Sequence, residues 1–104
     1  MPISAPEVVK AVALLTQDVV STLGPAYAAV VTASATNIRE FVDHDYEYFI
    51  QRVAEEVQQE FHDCFIDTTW PACPRHPNHP LWFHDGSWCC EQDGVAIARL
   101  GELR

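Results

Sequence analysis

The stretch CPRHPNHPLWFHDGSWCCEQDGVAIARL, residues 73–100, determines the second half of the fold. Two Asp-Gly pairs, at 85–86 and 93–94, separate three short segments. Asp-Gly between such segments is the strongest short-range signal of a two-residue turn in a β-hairpin. The stretch therefore predicts a three-stranded antiparallel meander.

The two turns also predict which residues share a face of the meander. The first turn sets Trp82 opposite Cys89. The second sets Cys90 opposite Ile97 and Cys89 opposite Ala98. Because opposed residues lie on the same face, one face is expected to carry Leu81, Phe83, Trp88, Cys90, Val95 and Ile97. The other is expected to carry Trp82, His84, Cys89 and Ala98. The adjacent cysteines then point in opposite directions, and at most one of them is expected to bind a metal.

Cysteine and histidine are concentrated in this part of the chain, which suggests a metal site. Cys73-Pro-Arg-His76 has the C-x2-H spacing of a zinc knuckle, because a short turn aims both side chains at one point. Cys90-Glu-Gln-Asp93-Gly94 resembles the second knuckle of a zinc ribbon, with aspartate in place of the last cysteine. The predicted ligands of a Zn²⁺ ion are Cys73, His76, His79 and Cys90. The alternates are Asp93, His84 and Cys89.

The cluster could also have a role without metal. One cysteine could be a core residue and the histidines exposed polar residues of a proline-rich loop. A redox pair is less favoured, because a disulfide between neighbouring cysteines strains the intervening peptide. The N-terminus lacks a basic region, and charged residues interrupt its apolar stretch, so neither a signal peptide nor a membrane span is expected. A cytoplasmic location is therefore expected. Because the cytoplasm is reducing, metal binding explains clustered cysteines there better than disulfides do.

The first half of the chain predicts helices. SAPEVVKAVALLTQDVVSTLGP, residues 4–25, opens with a capping box of Ser4 and Glu7, shows apolar spacings of three and four, and ends at Gly24. A helix is expected over 5–23. A second amphipathic helix is expected over about 45–63, with its polar side chains, including Gln51 and Gln58, turned away from the first. Cys64, at its end, is expected on the buried side as a small hydrophobic residue.

Residues 25–42 allow two interpretations. Their valines, threonine and isoleucine favour a β-hairpin that turns at 35–37. Their alanines favour helix, with one short helix ending near Ala33 and another capped by Thr36 or Asn37. The helical interpretation is slightly preferred.

A change in composition near residue 68, where four of the seven prolines begin, predicts a boundary between two parts of the chain. The expected class is α+β, with a mainly helical domain over 1–67 and a zinc-ribbon-like module over 68–104. Trp70, Trp82 and Trp88 are expected to pack around the metal site.

The charge of the chain limits its partners. Fifteen acidic and six basic residues give a formal charge of −9, and nine carboxylates lie between residues 40 and 67 beside a single base, Arg52. Such a surface repels nucleic-acid phosphates and anionic membranes. The carboxylates are expected to form a solvated helix face, with a docking surface for a basic protein as the alternative.

The tail WPACPRHPNHPLWFHDGSWCCEQDGVAIARLGEL resembles the C-terminus of a group of small uncharacterised bacterial proteins. These share a CPxHxxHPL segment, then WxC, then ARLGEL. The resemblance covers about residues 68–103 and implies no activity. It matches the recurring Cys and His positions at Cys73, His76, His79 and Cys90, and it implies a substitute role for Asp93.

These features predict a small zinc-binding protein in which a structural ion supports a non-catalytic protein-interaction module, with a homodimer as one possibility. Two further functions are compatible with parts of the sequence. Residues 15–42 loosely resemble the helix-turn-helix of bacterial regulators and antitoxins, with Asn37, Arg39 and Glu40 on the recognition helix, although the charge opposes DNA binding. A zinc-dependent hydrolase would need an open coordination position with a water beside His79 or Asp93.

Overall fold

The computed structural model describes residues 4–41, 45–64 and 69–103, without the side chains of 39–41. The fold is α+β: three α-helices are followed by a two-stranded and a three-stranded antiparallel sheet. The helices are α1 (Ala5–Leu23), α2 (Ala28–Phe41) and α3 (Tyr46–Asp63), with a 3₁₀ turn at Pro25–Tyr27. The strands are β1 (Ala72–Cys73), β2 (His76–Pro80), β3 (Trp82–His84), β4 (Ser87–Cys90) and β5 (Val95–Arg99).

The two helices predicted from capping and apolar spacing are confirmed. Ser4 and Glu7 form both hydrogen bonds of the capping box at the start of α1, and Gly24 ends that helix with φ of 96°. At the start of α3, the Asp45 carboxylate accepts a hydrogen bond from the backbone N–H of Tyr48 at 3.0 Å. Local capping chemistry therefore fixes where both helices begin.

The helical interpretation of residues 25–42 is correct, but the expected break near residue 36 is absent. α2 runs through that point as one helix, and the Thr36 hydroxyl donates to the carbonyl of Thr32 at 2.9 Å instead of capping a new helix. Asn37 is exposed on α2. The side chains of Arg39 and Glu40, also assigned to a recognition helix, lie outside the described residues.

The first predicted hairpin of the meander is confirmed and the register of the second is wrong. Asp85 and Gly86 both have positive φ, as a type I′ turn requires, and Trp82 pairs with Cys89. The second connection uses four residues, 91–94, so that Cys90 pairs with Val95 and Cys89 with Ala96. A bulge between residues 88 and 89 shifts the register by one residue, so that Trp88 lies opposite Ala98.

The proline-rich segment before the meander forms a small sheet that was not predicted. Cys73 pairs with His76 across a two-residue turn, and Ala72 pairs with Pro80. Between these two pairs, residues 77–79 of β2 have no counterpart on β1, so they form a bulge that carries His79. β1 and β2 contribute part of the predicted metal cluster.

One apolar core joins the helices to the sheets. Buried side chains from all three helices belong to the same cluster as Trp70, Cys73, Leu81, Phe83, Trp88, Cys90 and Leu103. Edge-to-face aromatic contacts run through it, from Phe61 to Trp70 at 5.1 Å and from Trp70 to Trp88 at 5.4 Å between ring centroids. The sheets therefore pack on the helical layer.

Two glutamines of α3, expected only to face away from α1, bind the segment that forms β3. The Gln51 amide donates to the carbonyl of Phe83 at 2.6 Å. Two turns further along the helix, the Gln58 amide donates to the carbonyl of Leu81 at 2.9 Å. These side chains satisfy backbone carbonyls of β3 and of the residue that precedes it, and so they fix the edge of the meander to the helix.

A buried carboxylate fastens the end of the chain to α1. Asp18 is fully buried, and its Oδ2 accepts hydrogen bonds from the Trp88 indole and the Gly101 amide, both at 2.9 Å. Its Oδ1 accepts a third from the Leu103 amide at 2.9 Å. Burial raises the pKa of Asp18, and the three N–H groups partly offset that effect. The carboxylate therefore links the first helix to β4 and to the C-terminal segment.

Glycine is required at position 101 of this segment. Gly101 has φ of 90°, and a Cβ atom there would lie 2.6 Å from Cδ2 of Leu14. The backbone can thus approach α1 closely enough for the Gly101 amide to reach Asp18.

Two expectations about burial are wrong. Cys64 is exposed, because the chain leaves α3 with this residue on the solvent side, and its thiol lies 3.2 Å from Oε1 of Glu60. Trp70 and Trp88 are buried as expected, but Trp82 is 46% exposed. Alternation along β3 turns Trp82 outward while Phe83 packs inward.

None of the helices in the described ranges has the length and apolar character needed to span a bilayer.

Replacing Asp18 should destabilise the whole fold. Asp18→Ala leaves three buried N–H donors without an acceptor, and each unsatisfied donor costs about 1–3 kcal/mol, so the free energy of unfolding should fall by about 3 kcal/mol or more. Urea unfolding followed by tryptophan fluorescence measures the change. Asp18→Asn, which keeps the shape, should lose less.

The matched control is Asp63→Ala at the exposed end of α3, where we expect a change below about 0.5 kcal/mol. Equal losses for Asp18→Ala and Asp63→Ala would show that Asp18 does not fasten the C-terminal segment.

Candidate metal centre

The first half of the candidate site is built by the tight hairpin of β1 and β2. Cys73 and His76 are cross-strand partners on either side of the Pro74-Arg75 turn. The turn therefore points the thiol and the imidazole to the same side. Sγ of Cys73 lies 3.7 Å from Nδ1 of His76. Cys73 is buried, with 2% of its surface exposed, and His76 is half-buried.

The second half comes from the end of β4. Strand alternation buries Trp88 and Cys90 and leaves Ser87 and Cys89 half-buried. Sγ of Cys90 consequently reaches the first hairpin and lies 3.4 Å from Nδ1 of His76. The two Sγ atoms and this imidazole nitrogen all lie within 4.8 Å of one another. The group could hold a metal ion.

The two sulfur–nitrogen distances in this group match those of a tetrahedral metal site. With Zn–S bonds of about 2.3 Å and Zn–N bonds of about 2.0–2.1 Å, tetrahedral angles place sulfur and nitrogen about 3.6 Å apart. The two observed distances, 3.4 and 3.7 Å, lie on either side of that value. The two sulfur–nitrogen distances are therefore compatible with one ion shared by Cys73, His76 and Cys90.

Backbone amides donate hydrogen bonds to the sulfurs of both cysteines. The Asp93 amide lies 3.3 Å from Sγ of Cys90 and donates to it. Burial acts to raise the pKa of Cys73, but hydrogen bonds outweigh it and bring the pKa to about 7; they come from the His76 ring, the Arg75 amide, the Cys90 thiol and the His76 amide. Because the thiolate is the metal-binding form, these donors prepare the site for a cation.

A fourth protein ligand is not in place. Across the described residues, no further Cys, His, Asp or Glu side chain joins the group within 4.8 Å. The His79 ring lies 6.4 Å from the His76 ring, centroid to centroid, on the exposed bulge of β2. Asp93 directs Oδ2 to Nε of Arg75, at 3.1 Å. Both predicted candidates for the fourth position thus border the site, and neither is aimed at its centre.

The other two alternates lie elsewhere. Cys89 pairs with Trp82, and its thiol approaches the carbonyls of Ser87 and His84, at 3.7 and 3.9 Å. The His84 ring stacks on Trp82 at 4.6 Å. His84 and Cys89 are therefore on the outward face of the meander, as the alternation predicted, and away from Cys90.

One polar contact at the site was not foreseen. Arg75, between the two residues of the first knuckle, pairs with Asp93 of the second. Their opposite charges, one in each knuckle, were a usable signal, but only once the two turns were known to be neighbours. The ion pair is more than half exposed on the arginine side, so its contribution to stability is expected to be small.

Comparison of the chain with protein-family models, with curated proteins and with solved structures finds no match. The resemblance of the tail to small bacterial proteins stays a prediction.

Proposed function

We propose that this protein binds one Zn²⁺ ion through Cys73, His76 and Cys90, that the ion is structural, and that the stabilised tail serves a non-catalytic protein-interaction module. The observation that supports the proposal is the match between the sulfur–nitrogen distances, 3.4 and 3.7 Å, and tetrahedral geometry. Two thiolates and an imidazole are ligands that suit zinc among the common divalent ions.

A structural role follows from the position of the site in the fold. The ligands come from two hairpins whose strands are two to five residues long. Such short strands bury little apolar surface by themselves, and metal binding in small modules supplies folding free energy directly. An ion held by β1, β2 and β4 would lock the proline-rich hairpin onto the meander.

His79 is the proposed fourth ligand. Its place on an exposed bulge allows the ring to turn towards the site, whereas the Asp93 carboxylate is already paired with Arg75. A Cys₂His₂ set would also balance the charge of the ion with two thiolates. Structural zinc sites are closed in this way by four protein ligands.

Metal content measured on purified variants tests the proposal. The protein produced without added metal should contain one zinc ion per chain, and Cys73→Ser or Cys90→Ser should remove it. Cys89→Ser and Cys64→Ser are the matched controls, because Cys89 lies on the outward face and Cys64 is exposed at the end of α3. Both controls should retain a full equivalent of zinc.

Chelation should lower the melting temperature of the wild type but not that of Cys90→Ser, because only the wild type has an ion to lose. Zinc that survives in Cys90→Ser and disappears in Cys89→Ser would refute the assignment of ligands.

The fourth position is tested by competition with a chromophoric zinc chelator. His79→Ala should weaken zinc binding by more than the roughly 10- to 100-fold that loss of an outer partner costs, since a direct ligand is removed. Asp93→Asn should have a smaller effect, because it loses only the contact with Arg75. If Asp93→Asn weakened zinc binding more than His79→Ala did, Asp93 would be the fourth ligand.

A further inference from the structure

The outward face of the β3–β4 hairpin carries an exposed pair of stacked rings. Trp82 and His84 lie one above the other, with centroids 4.6 Å apart and planes inclined by 19°. Trp82 is 46% exposed, whereas Trp70 and Trp88 are 3% and 0% exposed. The core therefore takes two of the three tryptophans and leaves this one against solvent, which is the reverse of what apolar burial favours.

His84 of this pair lines a surface cleft between α3 and the turn of that hairpin. The cleft has a volume of about 570 Å³ and is lined by Glu47, Tyr48, Gln51, His84, Asp85 and Gly86. Two carboxylates and a phenol ring are therefore among its walls, and the described residues that line it include no lysine or arginine. Trp82 is not one of the lining residues; its ring stacks on the His84 ring that forms part of the wall.

The walls of the cleft are held in place by the fold. Gln51 donates to the carbonyl of Phe83 at 2.6 Å and so fixes α3 against β3. Asp85 and Gly86 form the type I′ turn, with φ of 53° and 79°. The turn sets the backbone of both residues, and Asp85 lines the same cleft as His84.

From this arrangement we infer that the cleft binds the guanidinium group of an arginine side chain presented by a basic segment of a partner protein. Aromatic faces attract cations, and guanidinium in particular stacks flat on a ring while its N–H groups reach carboxylates. Glu47 and Asp85 would supply those carboxylates. The formal charge of −9 favours the approach of the same partner.

The inference rests on the interaction role proposed above and gives that role a partner chemistry. It does not require a particular fourth zinc ligand, because none of the residues that line the cleft is a proposed zinc ligand. Zinc content measured in the same samples keeps failure of the metal proposal distinguishable from failure of this one.

The experiment uses the zinc-loaded full-length protein and two short peptides that differ at one residue. One peptide carries a central arginine between glycines, and the other carries citrulline, which has nearly the same shape and no charge. Titration is followed by the NMR signals of the Trp82 indole N–H and of residues around the turn. The arginine peptide should shift these signals with an affinity that falls as salt is added, and the citrulline peptide should not.

Three variants locate the effect. Asp85→Asn keeps the turn, since Asn-Gly forms the same type I′ geometry, and should weaken arginine binding roughly fivefold by removing one charge. Tyr48→Ala, which removes an exposed aromatic ring that lines the cleft, should weaken it by roughly two- to fivefold, as expected for an exposed cation–π contact. Glu56→Gln on the same helix, which lines a different groove between α2 and α3, is the matched charge control and should bind as the wild type does.

Several outcomes would overturn the inference. The citrulline peptide could shift the same signals equally, or the arginine peptide could leave the Trp82 signal unmoved. Equal weakening by Asp85→Asn and Glu56→Gln would mean that only the overall negative charge attracts the peptide, and that the cleft is no site.

Discussion

The buried carboxylate of Asp18 is the contact on which the arrangement of this molecule depends. It accepts hydrogen bonds from the indole of Trp88 in the meander and from the amides of Gly101 and Leu103 near the end of the chain. Burial of a carboxylate is costly, and it is tolerated here because three N–H groups that would otherwise lack partners surround it. The first helix and the C-terminal segment are thereby tied together, although Asp18 and Gly101 are 83 residues apart in the sequence.

The rest of the tail lies between the Asp18 contact and the cluster of Cys73, His76 and Cys90. Trp88 makes edge-to-face contacts with Trp70 and Phe83, with ring centroids 5.4 and 4.8 Å away, so the aromatic core begins where the carboxylate holds the indole. Two residues further along β4, Cys90 meets Cys73 and His76. One strand thus carries the link to the helices and the link to the proline-rich hairpin. In our proposal, the ion completes a fold whose two sheets are too small to be stable alone.

Local chemistry was readable in the sequence, and contacts between distant segments were not. The capping residues at Ser4 and Asp45 and the Asp85-Gly86 turn act through atoms a few residues apart, and each produced the predicted element. The same Asp-Gly signal failed at 93–94, because the turn there has four residues and brings the Asp93 amide to the sulfur of Cys90. A four-residue turn stabilised by this amide–sulfur contact forms there instead of the two-residue turn.

The burial errors have the same origin. Nothing around Asp18 marked it as a core residue, because an aspartate on an amphipathic helix is ordinarily exposed, and its partners lie at the other end of the chain. For the same reason, the sequence did not indicate that Gln51 and Gln58, expected to face away from α1, bind carbonyls of the tail. For the metal cluster, the C-x2-H spacing and the opposite orientation of Cys89 and Cys90 were predictable from the sequence. The distance from His79 to the centre required the three-dimensional fold.

X-ray absorption at the zinc edge of the metal-loaded protein tests the central claim most directly, because it counts the sulfur atoms bound to the ion. Our account predicts two sulfurs at about 2.3 Å and two nitrogen or oxygen atoms at about 2.0 Å. A coordination sphere without sulfur, or with a single sulfur, would contradict the assignment of Cys73 and Cys90 to one ion. Three sulfurs would mean that another cysteine joins them, contrary to the orientation of Cys89 and the exposure of Cys64.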